Sequence, residues 1–357
     1  MAKYQRIKES LRNDILNMSF GETIPTRYEL ATKYGAARAT IDKAIAELVS
    51  EGILSSRPGS GTFVAKEDSE TNLIQNWGLI VPDITEEIYS GISRGVENYA
   101  QKIKANIILC NSDNSLSKQA DYLNRLYSSN VSGIILVPVI FSDIDSLHDL
   151  YSQLIATRIP FVFCNRSVDG IEAPLIASND FYGAYLATKH LIRQGYRKPA
   201  FISKVKYKTS NDRCQGYLSA LLEKEIPINR NTIVMNLPEE GSKDKIASLI
   251  QKEGIDSIFC FDDTIAELCY DVIDSLGINI PNQIGIIGYN NSSLCTKLFP
   301  PLTSVSFKNT EIGDKAADVL YKLIMNRSHN EFETYLFQPT VEIRESTRRK
   351  ITSADSN

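Results

Sequence analysis

Four apolar runs in this 357-residue chain end on polar side chains that donate hydrogen bonds, accept them or do both. Asp83 follows Val81-Pro82, with Tyr89 further along the helical stretch after it; Asn165 and Arg166 follow Cys164; Asp262 and Asp263 follow Phe261; Asn290 and Asn291 follow Gly288-Tyr289. Neutral amides, carboxylates, an arginine and an aromatic ring suit a polyhydroxylated ligand, because each hydroxyl donates and accepts and a sugar face stacks on a ring. A second set lies near the amino terminus. Arg38, Ala39, Thr40, Asp42 and Lys43 lie on the polar side of an apolar-periodic stretch, and Arg57-Pro58-Gly59-Ser60-Gly61 follows it. There Arg38 suits guanine edges or phosphate and Thr40 suits phosphate, while Arg57 with the small residues Gly59, Ser60 and Gly61 fits a minor groove or a sugar-phosphate backbone. Catalysis is not expected: His148, His190 and His329 have no metal spacing, no G-x-S-x-G is present, and no Walker loop or G-x-G-x-x-G follows a strand. No cofactor or metal is implied.

The elements that must carry the amino-terminal set are three helices and a hairpin. The spacing of Ile7, Leu11, Ile15 and Leu16 predicts a helix over about 4–18. Thr26-Arg27-Tyr28-Glu29 has the T-x-x-E form of a capping box, so a second helix begins there and ends at Gly35. A third starts near Ala37, buries Ile41, Ala44, Ile45, Leu48 and Val49, and stops at Gly52. Residues 53–56 and 62–64 read as short strands around a bend at 57–61, which makes the unit a winged helix-turn-helix. Residues 1–67 carry ten basic and eight acidic side chains, leaving a net −6 for the remainder of a chain whose total is −4. That excess is small, so placement of the charges carries the reading.

The remainder alternates strand-like and helix-like segments. Residues 67–75 are polar and without period and serve as a linker. Buried-strand runs then appear at 78–81, 107–110, 133–137, 161–164, 200–202, 257–261 and 284–287, separated mostly by amphipathic segments. The pattern predicts parallel sheets covered by helices, in two lobes because the extent exceeds one core, with ligand residues just beyond the strand ends. The domains are therefore expected at 1–66, 67–75 and 76–350. Six scattered cysteines, several in apolar runs, predict buried reduced thiols. No stretch is long and apolar enough for a membrane span, and the first ten residues lack an apolar leader core; a cytoplasmic protein is expected.

The spacing Pro25-x-x-x-Glu29-Leu30-Ala31, Gly35-x-x-Arg38-x-Thr40, Leu48-x-x-Glu51-Gly52 and Gly59-x-Gly61-Thr62-Phe63-Val64 resembles the GntR family of DNA-binding domains over residues 1–66. Where that family usually has arginine, this chain has Tyr28, with Arg27 just before it, and Asp42; Ala37 stands where Ser or Thr usually caps the recognition helix. A carboxylate at 42 is repelled by phosphate but can accept from cytosine N4, so an altered operator sequence is expected. From Trp77 to about Arg348 the stretches WGLIVPDITEEIYSGISRGVENYA, VSGIILVP, IPFVFCNRS, NDFYGAYLATKHLIRQGYRKPAFI, LGINIPNQIGIIGYNN and FPPLTSVSF resemble the effector-binding core of LacI-type regulators, which is similar to type I periplasmic sugar-binding proteins. The combination is similar to AraR-type bacterial regulators. That resemblance implies a homodimer that represses by binding double-stranded operator DNA and is released by a monosaccharide such as arabinose or fucose. It also implies that Arg213 clamps ligand hydroxyls, that Asn165 and Asp262 hydrogen-bond them, and that Asn290 stands where aspartate is usual; Ser178 and Arg166 are further candidates. Asp83, Asp262 and Asn290 have a plainer use as caps of the helices after their strands, and Asp263 reads as a cap. Two rival readings are a purine or other planar effector, stacked with help from Tyr89 and Phe181, and a carbohydrate-binding module without DNA function.

Overall fold

The computed structural model describes residues 3–15, 18, 21–57, 61–65, 75–139, 144–204, 208–325 and 333–349. The bend residues Gly59 and Ser60, nearly all of the expected linker 67–75, and residue 350 lie outside the described residues. The chain divides into two compact units, Met1–Ile74 and Gln75–Asn357.

In the first unit, α1 (Lys3–Ile15), α2 (Arg27–Lys33) and α3 (Arg38–Ser50) precede a hairpin of β1 (Leu54–Arg57) and β2 (Gly61–Val64). Period explains the helices: Ile7, Leu11 and Ile15 of α1, Leu30 of α2 and Ile41, Ala44, Ile45 and Leu48 of α3 share one core with Ile24, Leu54 and Val64. Val49 is only half-buried; α1 is described over Lys3–Ile15, and Leu16 lies outside the described residues. The capping box forms as read: the Thr26 hydroxyl accepts from Glu29 N at 3.3 Å and the Glu29 carboxylate accepts from Thr26 N at 2.7 Å. Ala37 precedes α3 in extended geometry with no side chain to cap it. β1 and β2 pair antiparallel with Arg57 opposite Gly61, so Arg57 belongs to the strand rather than to the bend.

The second unit begins with β3 (Asn76–Val81), α4 (Glu87–Lys102), β4 (Asn106–Asn111), α5 (Leu116–Ser128), β5 (Gly133–Leu136), α6 (Ile144–Thr157), β6 (Phe161–Cys164) and β7 (Leu175–Ser178). It continues through α7 (Asp180–Arg193), β8 (Pro199–Ile202), α8 (Lys208–Glu223), β9 (Ile233–Val234), α9 (Ser242–Glu253), β10 (Ser257–Cys260), α10 (Asp263–Ser275), β11 (Gly285–Tyr289), α11 (Leu294–Lys297) and β12 (Thr303–Ser306). The last elements are α12 (Asn309–Met325), β13 (Thr334–Phe337) and β14 (Thr340–Glu342). One six-stranded sheet has the order β13-β7-β6-β5-β3-β4 and is parallel throughout; the other has the order β14-β12-β11-β10-β8-β9. The second departs from the all-parallel expectation at one edge, where β14 runs antiparallel to β12.

Two lobes follow from where the chain changes sheets. It leaves the first after Ser178 and enters α7, which packs on α8 and the second sheet; it returns after Ser306 into α12, which packs on α4; it crosses again between Phe337 and Thr340. The α4–α12 contact is close because Gly95 and Gly313 face it: a Cβ on either would come within 2.0 Å of the carbonyl oxygen of Thr310 or Ile92 respectively. Around them Ile92, Val96, Ile312 and Ala316 are fully buried. All six cysteines are buried thiols, with the Cys260 and Cys269 sulfurs 3.8 Å apart in the second lobe. No helix among the described residues is long and apolar enough to cross a membrane.

Candidate functional site

On the first unit, the amphipathic spacing that buries Ile41 and Ile45 turns Arg38, Ala39 and Lys43 outward, with Thr40 and Asp42 half-buried. Arg38 and, on α2, Tyr28 are strongly exposed, at 78% of the side chain and 81% of the residue. Asp42 does not stand alone. Its Oδ1 accepts from Arg27 Nε at 2.8 Å, and its Oδ2 lies 3.8 Å from Arg38 Nε. Arg27 also donates to the Thr62 hydroxyl of β2 at 3.4 Å, so one residue links α2, α3 and the wing. The Asp42 carboxylate is thus paired with Arg27 while its side chain remains 45% exposed. Lys43 Nζ lies 3.9 Å above the Tyr4 ring and the Arg57 guanidinium 5.7 Å from the Phe63 ring, so both cations are held on aromatic faces. Arg27, Tyr28, Arg38, Gly61 and Thr62 line a cavity of about 340 Å³.

On the second unit, residues at the strand ends of the two lobes face one another. The Tyr89 hydroxyl of α4 lies within electrostatic reach of Arg166 in its own lobe and of Arg213 in the other, and the Glu86 carboxylate reaches Asp83, Arg166 and Asp262. Arg213, on α8, is 4% exposed. Its Nε and Nη2 each sit 2.8 Å from Asp180 Oδ1, its Nη1 donates to the Phe261 carbonyl, and its plane lies 3.5 Å from the Tyr289 ring centroid and 4.3 Å from that of Phe261. Arg166 donates from Nε to the Pro138 carbonyl at 2.7 Å and lies 5.9 Å over the Tyr89 ring. Among the described residues, Arg166 Nη2, Asn290 Oδ1 and Asn309 Oδ1 are buried with no hydrogen-bond partner, and Ser178 Oγ, Tyr289 Oη and Ser292 Oγ are buried with loose contacts only, the first two to each other and the third to Asp263. Each such group costs about 1–3 kcal/mol when left unpaired, and all six lie at strand ends or lobe crossings. Such a gathering of donors and acceptors, all but Arg166 neutral, suits a hydroxyl-rich ligand.

The eight body residues singled out by sequence divide by what else they do. Asn165 and Asn290 adopt left-handed backbone, φ 65° and 100°, which asparagine tolerates at the end of a strand. Asp262 does cap α10, accepting from Ile265 N at 2.8 Å and the Thr264 hydroxyl at 2.7 Å. Asp83 closes a turn instead, accepting from Thr85 N at 2.9 Å and its hydroxyl at 2.7 Å, bonds that hold its carboxyl below the ordinary range. Asn290 caps no helix; its N–H donates to Val305. Asp263 is not the cap expected of it: it is 1% exposed and ties the following loop down through Ser292 N at 2.7 Å and the Ser304 hydroxyl at 2.6 Å, while burial raises its pKa. Sequence reasoning passed over Asp180, Glu86 and Glu87. Asp180 follows Asn179, whose side chain caps α7, and the pair reads as an ordinary helix start.

Residues 3–64 match the model of the bacterial regulatory proteins of the gntR family, and residues 188–347 match that of the periplasmic binding protein-like domain. The chain is 28% identical to the arabinose metabolism transcriptional repressor of Geobacillus stearothermophilus over 98% of both chains. It is 31% identical to the HTH-type transcriptional repressor PurR of Photobacterium profundum over 78% of this chain and 82% of that one. Among solved structures, a LacI family transcriptional regulator from Enterococcus faecium with bound ribose superposes with a TM-score of 0.63 at 26% identity, over 78% of this chain and all of that one.

Proposed function

The chain belongs to the bacterial transcriptional regulators that join a gntR-family head to a periplasmic-binding-protein-like body, and on that premise we propose that it represses a sugar-utilisation operon and is released from its operator by a small monosaccharide. Residues 1–66 read duplex DNA, 67–75 link, and 76–350 bind the sugar and dimerise. The observation that carries the sugar reading is the set of buried neutral polar side chains at strand ends, Ser178, Tyr289 and Asn290, together with an Arg213 fixed by Asp180 and packed on the Tyr289 and Phe261 rings. A relative named for arabinose metabolism and a neighbour holding ribose support a pentose. A planar nucleobase needs rings on both of its faces, and the Tyr89 ring already carries Arg166. On the head, the outward Arg38, Ala39 and Lys43 with half-buried Thr40 supply groove contacts, and Arg27 and Arg57 supply contacts from either side.

Homodimer formation draws support from apolar side chains left in the open: Ile108 and Leu109 on the edge strand β4, Tyr127 on α5, and Phe299, which is 91% exposed. The repressor works in the cytoplasm, where its operator is. Sugar that prefers the closed cleft shifts the lobe equilibrium by its differential affinity, and in a dimer that shift alters how two heads meet two half-sites.

Fluorescence anisotropy with duplexes from upstream of sugar-operon genes tests this on the full chain. Operator binding is expected to fall with salt, and saturating L-arabinose, L-fucose or D-ribose is expected to weaken it by roughly 5- to 150-fold. Binding to no duplex, or an operator affinity that no sugar changes, contradicts the proposal, and sedimentation as a monomer contradicts the dimer.

A further inference from the structure

Arg213 carries the cleft's most constrained charge. Arginine ordinarily offers its Nε and Nη2 edge to the two oxygens of a phosphate or carboxylate. Here that edge is taken: Nε and Nη2 both lie 2.8 Å from Asp180 Oδ1, within a pair whose side chains are 5% and 10% exposed. The Nη1 side donates to the Phe261 carbonyl, and the guanidinium carbon lies 3.5 Å from the Tyr289 ring centroid and 4.3 Å from that of Phe261. Asp180 is the first residue of α7, two positions beyond the end of β7, where the chain passes from one lobe to the other. Next to it, the Ser178 and Tyr289 hydroxyls are buried, close to each other and to the Asp180 carboxylate. Both are neutral groups that match hydroxyls.

We propose that Asp180 is a specificity-determining positioning residue: it fixes the plane of Arg213 and, by holding that arginine's anion-binding edge, makes the cleft choose uncharged sugars over phosphorylated or acidic ones. This rests on the reading of the cleft as a sugar site. An anionic ligand that competed for the Nε and Nη2 edge would leave the Asp180 carboxylate buried and unpaired, a costly state. It would also meet Asp212, which acts electrostatically on both members of the pair, and the acidic group Asp83, Glu86 and Asp262. Arg166 and Lys208 are the cations on the other side of the balance. A neutral polyol makes no such demand; it meets a guanidinium whose orientation and charge are settled beforehand.

Isothermal titration of the full chain with L-arabinose, D-ribose and D-ribose 5-phosphate tests the assignment. The wild type is expected to bind the better neutral pentose at least about thirtyfold more tightly than the phosphate, and Asp180→Asn, which removes the charge but not the shape, to shrink that ratio about tenfold or more. A purely structural role would weaken all three ligands together and leave the ratio alone. Asp180→Glu keeps the charge and is expected to keep the preference even where the neutral sugar binds more weakly; it carries the test should Asp180→Asn not fold. A wild type that takes ribose 5-phosphate as tightly as a pentose, an unchanged ratio in folded Asp180→Asn, or a lost preference in Asp180→Glu overturns the role of Asp180. A wild type that binds no sugar or sugar phosphate at all overturns the sugar reading, and this assignment with it.

Discussion

His190 sets a limit on the pH at which the body is stable. It sits on α7, 7% exposed, with Nε2 2.7 Å from the Thr347 hydroxyl, and burial, helped by the charge of Arg193, lowers its pKa from 6.5 to about 4. The folded pKa lies below the unfolded one, so as pH falls the unfolded chain takes up the proton first. The contribution to stability is complete above about 6.5 and is lost progressively toward pH 4, amounting to about 2 kcal/mol between pH 7 and pH 5. Urea midpoints of wild type and His190→Gln at these two pH values check this: the wild type is expected to lose more than the variant over the interval, and equal losses would show that the His190 pKa does not differ between the folded and unfolded chain. Single residues were unevenly legible in the sequence. The rule that ligand groups follow strands picked Asn165, Arg166, Asp262 and Asn290, and the structure does place them just beyond β6, β10 and β11, because a buried apolar run fixes where its strand ends. It could not separate a cap from a contact at Asp262, where a carboxylate serves the helix N–H groups first. It missed Asp180, whose partner Arg213 lies 33 positions away and is brought to it only by the packing of α7 on α8.

At the scale of elements, α3 combines a strong apolar period with a weak start. Ala37 has the extended backbone of an N-cap, φ −63° and ψ 145°, but no side-chain acceptor, while Thr26 gives α2 a complete capping box. Ala37→Ser adds the missing acceptor without new contacts in the core and is expected to stabilise the head by about 1 kcal/mol. Amide exchange in the first turn of α3 in the full chain checks it; slower exchange is the expected result, and unchanged or faster exchange would mean that the serine finds no N–H to bond. Helices of the head were readable because period and caps are local, as were β3, β4, β5, β6, β8, β10 and β11, whose apolar runs mark central strands or strands beside them. The two-residue β9 and the strands β7, β12, β13 and β14 were not marked by any run. β12 reads Thr303-Ser304-Val305-Ser306 and is buried by its neighbours in the sheet rather than by its own composition. The antiparallel β14 followed from a third lobe crossing that only the tertiary fold reveals.

For the molecule as a whole, response to a ligand requires lobes that separate and rejoin, and one contact reports directly on their approach. Glu87, at the start of α4 in the first lobe, accepts from the backbone N–H of Ser293 in the second, at 3.1 and 3.0 Å from its two oxygens. The receiving loop is braced from behind: Asp263 holds Ser292 N, and Arg344 donates to Asn291 Oδ1 at 2.8 Å, so the Ser293 N–H is aimed before the lobes meet. Both partners are exposed, and a charge-assisted bond between exposed groups contributes on the order of 1 kcal/mol. Because the bond joins the lobes, that free energy acts on the closing equilibrium and is felt by any ligand that needs the closed cleft. Glu87→Ala is therefore expected to weaken L-arabinose binding by about threefold to tenfold while leaving operator affinity without sugar nearly unchanged. Glu87→Gln, which keeps an acceptor, is expected to lie between the two. Titration calorimetry with the sugar and anisotropy with the operator measure the two quantities separately. Should Glu87→Ala bind sugar as tightly as the wild type, the contact makes no net contribution to closure, and the crossings after Ser178, Ser306 and Phe337 must set the equilibrium by themselves.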